Sequence, residues 1–124
     1  MIIVCDFDGT VVENAWPEIG AALPGAVETL KALVAAGHEL IIWTCRKKRH
    51  EVEARSWLRE NGISYAHFNE NSPDMIDAMC GDTRKVFGHV YIDDRNFGGF
   101  PGWAAIAREL LPGPNRELLE GDRS

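Results

Sequence analysis

Four short apolar runs separated by segments of helical period constrain this chain more than any other feature. Residues 2–5 (IIVC), 39–44 (ELIIWT), 63–68 (ISYAHF) and 89–92 (HVYI) read as strands. Between them, residues 25–36 carry Val27, Leu30 and Val34 at helical spacing with Leu33 beside them, and Gly37 supplies the stop. Residues 48–60 place Ala54, Trp57 and Leu58 on one side of a helix that ends at Asn61 and Gly62. Pro73 suits the first turn of a short helix through Cys80, and Trp103, Ile106, Ala107 and Leu110 repeat at helical spacing. Unbroken apolar strands are buried on both sides. Their alternation with helices predicts an α/β fold: a parallel sheet with right-handed crossovers and helices on both faces.

The chain has 124 residues, the size of one domain, and a hydrophobic content of 45%, enough for a core without staples. Its formal net charge of −6 argues against broad, charge-driven nucleic-acid binding and leaves room for a local basic site. The three cysteines, Cys5, Cys45 and Cys80, form no disulfide framework and pair with no histidine at a zinc-ligand spacing. A reducing, cytoplasmic location is the expectation. No apolar run approaches the length of a membrane span, and the opening residues read as a strand rather than a signal peptide.

In open α/β sheets, ligands bind beyond the carboxyl ends of the strands. Here those ends are polar. Asp6 and Asp8 close the first strand, Thr44 the second, and Asp93 and Asp94 the last. Parallel strands would gather all five on one rim. Carboxylates crowded together repel, and a divalent cation relieves that repulsion. Oxygen-only ligands suit Mg²⁺ together with a phosphate, so the cluster reads as a Mg²⁺ and phosphate site. Asp6 and Asp8, two apart in an extended segment, would flank one ligand while Phe7 packs elsewhere, and Gly9 lets the backbone turn close to it.

"DFDGT" at 6–10 resembles the first signature of the haloacid dehalogenase (HAD) superfamily, composed mostly of phosphate-ester hydrolases. "LIIWTCR" resembles its second signature, and "RKVFGHVYIDD" its third and fourth; the likeness spans about residues 2–95. It implies a single Rossmann-like HAD core and a Mg²⁺-dependent phosphatase acting on a phosphate monoester. Asp6 would be the nucleophile and Asp8 the general acid and base. Thr44 would bond a phosphoryl oxygen, and Lys85 would neutralise charge around Asp6. Arg84, one residue earlier, is the alternative to Lys85. The metal ligands implied are Asp6, Asp8 through its backbone carbonyl, and Asp93, with Asp94 a ligand through water or an orienting neighbour. Asp8 points to the phosphatases, because the dehalogenase branch lacks a second acid.

Only 14 residues separate Thr10 from Gly25, too few for an inserted cap domain. The expectation is a cap-less hydrolase domain over 1–111 with a polar tail over 112–124. Its substrate is phosphorylated, small or macromolecular, and a homo-oligomer stays open. "RKKRH" at 46–50 reads either as a solvated face paired with Glu51 and Glu53 or as a collar steering an anionic substrate. Arg46 and, on a Gly-rich rim, Arg95 are the substrate-binding candidates. Trp16 is expected to pack beneath the flap that follows the first motif, with stacking on a base or sugar as the other reading. Cys5 and Cys45 are expected to fill the core. Two other functions compete: a receiver-like phospho-acceptor signalling domain, and a non-catalytic interaction module on a phosphatase scaffold.

Overall fold

The computed structural model describes residues 1–113. The tail expected over 112–124 therefore lies, from residue 114 onward, outside the described residues. Four parallel strands form the sheet: β1 (Ile2–Cys5), β4 (Glu39–Ile42), β5 (His67–Phe68) and β6 (Val90–Ile92), in the spatial order β5-β4-β1-β6. A two-stranded antiparallel hairpin, β2 (Val12–Ala15) and β3 (Glu18–Ala22), follows β1. The helices are α1 (Ala26–Ala35), α2 (Lys48–Glu60), α3 (Pro73–Ala78) and α4 (Trp103–Leu110).

The burial pattern follows from the winding. The chain moves outward from β1 to β4 to β5, then crosses back to β6 on the other side of β1. Right-handed crossovers then put α1 and α2 on one face and α3 on the other. The two apolar clusters divide accordingly. Ile3, Cys5, Leu40, Ile42, Phe68 and Ile92 face Leu30 and Leu33 of α1, Ala54 and Leu58 of α2, and Trp103 and Ile106 of α4. Ile2, Val4 and Ile41 face the other way, toward Val86, with Met75 of α3, Phe87 and Tyr91 packed against them. Helices lie on both faces, as the alternation predicts, but unequally.

Two elements depart from the expectation. The strand expected over 63–68 shortens to His67–Phe68, because it is an edge strand whose ladder partner is β4 alone. The hairpin was not anticipated as strands: its residues Glu18, Gly20, Ala21 and Ala22 lack both apolar alternation and β propensity. It holds no core of its own, and among the described residues the sheet carries no cap domain.

Helix α4 is tied to the loop after β1 by one buried bond, from the Trp103 indole Nε1 to the Thr10 carbonyl at 2.8 Å. Replacing Trp103 with Phe removes that donor and leaves a void in a fully packed position. Urea unfolding of Trp103→Phe should show a loss of about 2–4 kcal/mol.

Candidate functional site

The site is built by strand pairing. The β1 residues Val4 and Cys5 lie beside Tyr91 and Ile92 of β6, and the Asp6 N–H continues the ladder to the Ile92 carbonyl at 2.9 Å. Asp6 thus ends its strand next to Asp93. On the other flank, the Trp43 N–H reaches the Cys5 carbonyl at 2.9 Å, which sets Thr44 beside the same rim. Carboxylate oxygens of Asp6, Asp93 and Asp94 all fall within 4.8 Å of one another, close enough to share one metal ion.

Backbone and hydroxyl groups hold this crowd in place. Thr10, fully buried, accepts a bond from the Asp94 N–H at 3.0 Å. Its hydroxyl oxygen lies 3.2 Å from Asp6 Oδ2 and 3.3 Å from Asp94 Oδ1, so its single proton serves either carboxylate in turn. Gly9 sits at φ +84°, and a Cβ there would overlap Asp94 Oδ2 and lie 2.9 Å from Cγ. Only glycine fits. The Arg95 N–H bonds Asp93 Oδ1 at 2.9 Å. Burial first, then a hydrogen bond with Asp94 and the charge of Asp93, push the Asp6 carboxyl up from 3.8 to about 7, against the opposing pull of the Phe7 N–H and the Thr10 hydroxyl.

Asp8 goes elsewhere. Both its oxygens are taken by Arg46, with Nε to Oδ2 at 2.7 Å and Nη2 to Oδ1 at 2.7 Å. Its carboxylate is therefore outside the acidic cluster, which leaves the backbone carbonyl as its route to a metal. Arg46 is only 1% exposed. It also donates to the Pro17 and Glu18 carbonyls of the hairpin, at 3.3 and 2.9 Å, and its guanidinium lies 5.1 Å from the Trp16 ring and 5.5 Å from that of Phe7. Arg46, a substrate-binding candidate by its position, does line the cavity at this rim, with its guanidinium bonded to Asp8 and the hairpin. Trp16 does not pack beneath the flap. It is 55% exposed, at the hairpin turn, with its ring 4.7 Å from that of His50.

The remaining candidates surround an open cavity of about 620 Å³ lined by Asp6, Asp8, Asn14, Trp16, Trp43, Thr44, Cys45, Arg46, Asp93, Asp94 and Arg95. Lys85 is exposed and shares a neighbouring recess with Asp6 and Asp93, its ammonium 5.3 Å from the Tyr91 ring. Among the described residues it makes no ion pair, and Arg84 lines none of these hollows. Cys5 is buried and its thiol pushed well up, by burial and then by Asp6 and Asp93, so it is an inert core group. Cys45 and Cys80, by contrast, are exposed, and Cys45 lines the cavity rather than filling the core.

Two asparagines were missed. Asn69, at φ +56°, clasps Thr44 by accepting from its N–H at 2.7 Å and donating to its carbonyl at 2.9 Å. Asn71 is buried and ties the segment leading to Lys85, donating to Thr83 and Asp82 and accepting from the Phe87 N–H at 2.7 Å. The signal for Asn69 was present: it is the polar residue closing the third strand. Thr10 stands within the first motif itself.

Fold and site together define a class: a parallel α/β domain with a carboxylate cluster at the ends of adjoining central strands, open to solvent. No family model and no curated protein matches the chain. A solved structure of a conserved protein from Bacteroides thetaiotaomicron is 37% identical, covers 100% of this chain and 93% of its own, and superposes with a TM-score of 0.78. The chain belongs to the same family as that protein.

Removing Arg46 would leave a half-buried Asp8 and two hairpin carbonyls unpaired. Arg46→Ala should lose about 3–5 kcal/mol in urea unfolding. Arg46→Lys should recover only part of that, because an ammonium cannot make the two-pronged contact. A second expectation concerns pH. The folded state holds the Asp6 proton more tightly than the unfolded chain, so stability is greatest below about pH 4 for this group and falls as pH rises through about 7. With chelator present, the melting temperature should decline across that window, and Asp6→Asn should flatten the decline.

Proposed function

We propose that this protein is a Mg²⁺-dependent phosphatase of the haloacid dehalogenase type, hydrolysing a phosphate monoester through an aspartyl-phosphate on Asp6. One observation carries the reading: the Asp6, Asp93 and Asp94 carboxylates converge within 4.8 Å at the floor of an open cavity. The donor set is oxygen only, and burial first, then the neighbouring Asp94 and Asp93, raise the affinity of Asp6 for a proton, a cost that a bound cation would offset. Both features fit Mg²⁺, which Asp6, Asp93 and the Asp8 carbonyl would hold, while Asp94, braced by Thr10 and packed on Gly9, orients the cluster. Bound there, the ion would supply charge neutralisation for the phosphoryl oxygens.

In the first step, an Asp6 carboxylate oxygen bonds to phosphorus as the ester P–O bond breaks, and Asp8, turned from Arg46 and carrying a proton taken from solvent, delivers that proton to the departing oxygen. In the second, a water oxygen bonds to phosphorus, its proton passes to Asp8, and the Asp6–phosphorus bond breaks to release inorganic phosphate. Thr44 lines the acidic cavity and Lys85 the adjoining recess that also holds Asp6 and Asp93, and both would contact the phosphoryl oxygens, where charge accumulates. Asp8 must turn one oxygen from Arg46 toward the leaving group to do this, and that guanidinium fixes where the turn begins.

The test is phosphate release from an aryl phosphate. Activity should require Mg²⁺, vanish in Asp6→Asn and fall roughly 10²–10⁴-fold in Asp8→Asn. Full turnover by Asp6→Asn would refute the mechanism. Independently, Mg²⁺ at a hundredfold excess over its Kd should stabilise the fold by about 2.7 kcal/mol, and Asp93→Asn should abolish that gain.

A further inference from the structure

We propose, resting on the phosphatase reading, that the substrate is the terminal phosphate of a single-stranded nucleic acid, whose chain runs from the acidic cluster across Trp16 into a basic groove. That groove, about 600 Å³, is lined by Trp16, Cys45, Lys47, Lys48, Arg49 and His50, and it shares Trp16 and Cys45 with the acidic cavity. The two spaces therefore adjoin, with the exposed Trp16 indole between them. Trp43, 37% exposed, presents a second indole on the cavity wall.

The cations in the groove are not committed to their own helix. Glu51 pairs with Arg55 at 2.9 Å and Glu53 with His50 at 3.0 Å. That leaves Lys47, Lys48 and Arg49 without a carboxylate partner among the described residues, all three exposed. They also stand at the start of α2, where positive charge works against the helix dipole. Local stability does not account for them. Arg46, the one cation of the run that is buried, holds the floor beneath Trp16 instead of facing the groove.

Adjacent phosphate-binding cations and exposed aromatic rings are how single strands are held: the backbone is drawn by charge and bases stack on rings, with little sequence preference. With a net charge of −6, the rest of the surface repels a polyanion, so binding would be confined to the basic groove, with the terminal phosphate alone entering the acidic cavity, where a bound cation would offset the carboxylates. An isolated sugar phosphate would leave the groove and its cations unused, and a phosphopeptide has no regular second phosphate for them.

The experiment compares kcat/KM for dTMP, 3′- and 5′-phosphorylated (dT)6, and a singly phosphorylated peptide of matching net charge. At least one oligonucleotide should exceed dTMP tenfold or more and exceed the peptide. The triple variant K47Q/K48Q/R49Q should cut the oligonucleotide-to-dTMP ratio at least tenfold, and should lower the slope of log KM against log salt by about 2, as the loss of three phosphate contacts on a single strand predicts. Trp16→Ala should weaken the oligonucleotide roughly tenfold. Equal rates for dTMP and oligonucleotides, an equal or better peptide, or an unaltered ratio in the triple variant would overturn the proposal while leaving the phosphatase reading intact. If no ester is hydrolysed, that reading fails by itself. Fluorescence anisotropy of labelled, phosphorylated (dT)6 then decides: tight binding weakened by the triple variant supports the groove, and binding no better than the peptide's overturns it.

Discussion

The pairing of β1 with β6 is the contact on which the rest of this molecule depends. It sets the Asp6 N–H on the Ile92 carbonyl, so a strand ending in one acid lies directly beside a strand ending in two. Like charges at such a spacing oppose folding, and nothing in the sheet itself relieves them. The apolar strands hold them there. Ile3, Val4, Cys5 and Ile92 are all buried, and an element fixed on both faces cannot slide by one residue without exposing its core side chains.

The architecture around the cluster is a set of supports for that arrangement. Thr10 stands between Asp6 and Asp94, its carbonyl is held by Trp103, and Gly9 gives Asp94 room. Helix α4 therefore contributes to the rim without reaching it: its indole fixes the loop, and the loop fixes the carboxylates. Asn69 does the same for Thr44, and Asn71 for the segment carrying Lys85. Each brace satisfies backbone groups that a loop would otherwise leave to water.

The fold was legible because its strands are apolar on both faces and its helices are periodic; those patterns are written by burial alone. The acids were legible because charge at the end of an apolar strand has few bland explanations. What stayed hidden depends on partners far apart in the chain. The position of Arg46 near Thr44 sets it apart from Lys47 and Lys48, but nothing local shows that it is buried against Asp8, 38 residues earlier, while its neighbours remain exposed. Trp16 was misplaced for the same reason: an indole in a short connector normally packs under it, and here the space beneath belongs to the Arg46 guanidinium. The hairpin escaped notice because its strands are specified by these contacts and not by their own composition.

Arg46 also joins two features that the sequence presents separately. The same guanidinium that grips Asp8 carries the hairpin through the Pro17 and Glu18 carbonyls and lies against Trp16. A displacement of the hairpin must therefore stretch bonds on the group that orients Asp8, and a rotation of Asp8 must loosen the hairpin. In the proposed reaction, Asp8 has to release an oxygen toward the leaving group just where a substrate would press on Trp16. A chain lying across that indole would act on the guanidinium beneath it, so occupancy of the groove and presentation of the acid would share one bonded unit. A domain without a cap would thereby link its chemistry to the arrival of an extended substrate, using one arginine in place of an inserted domain.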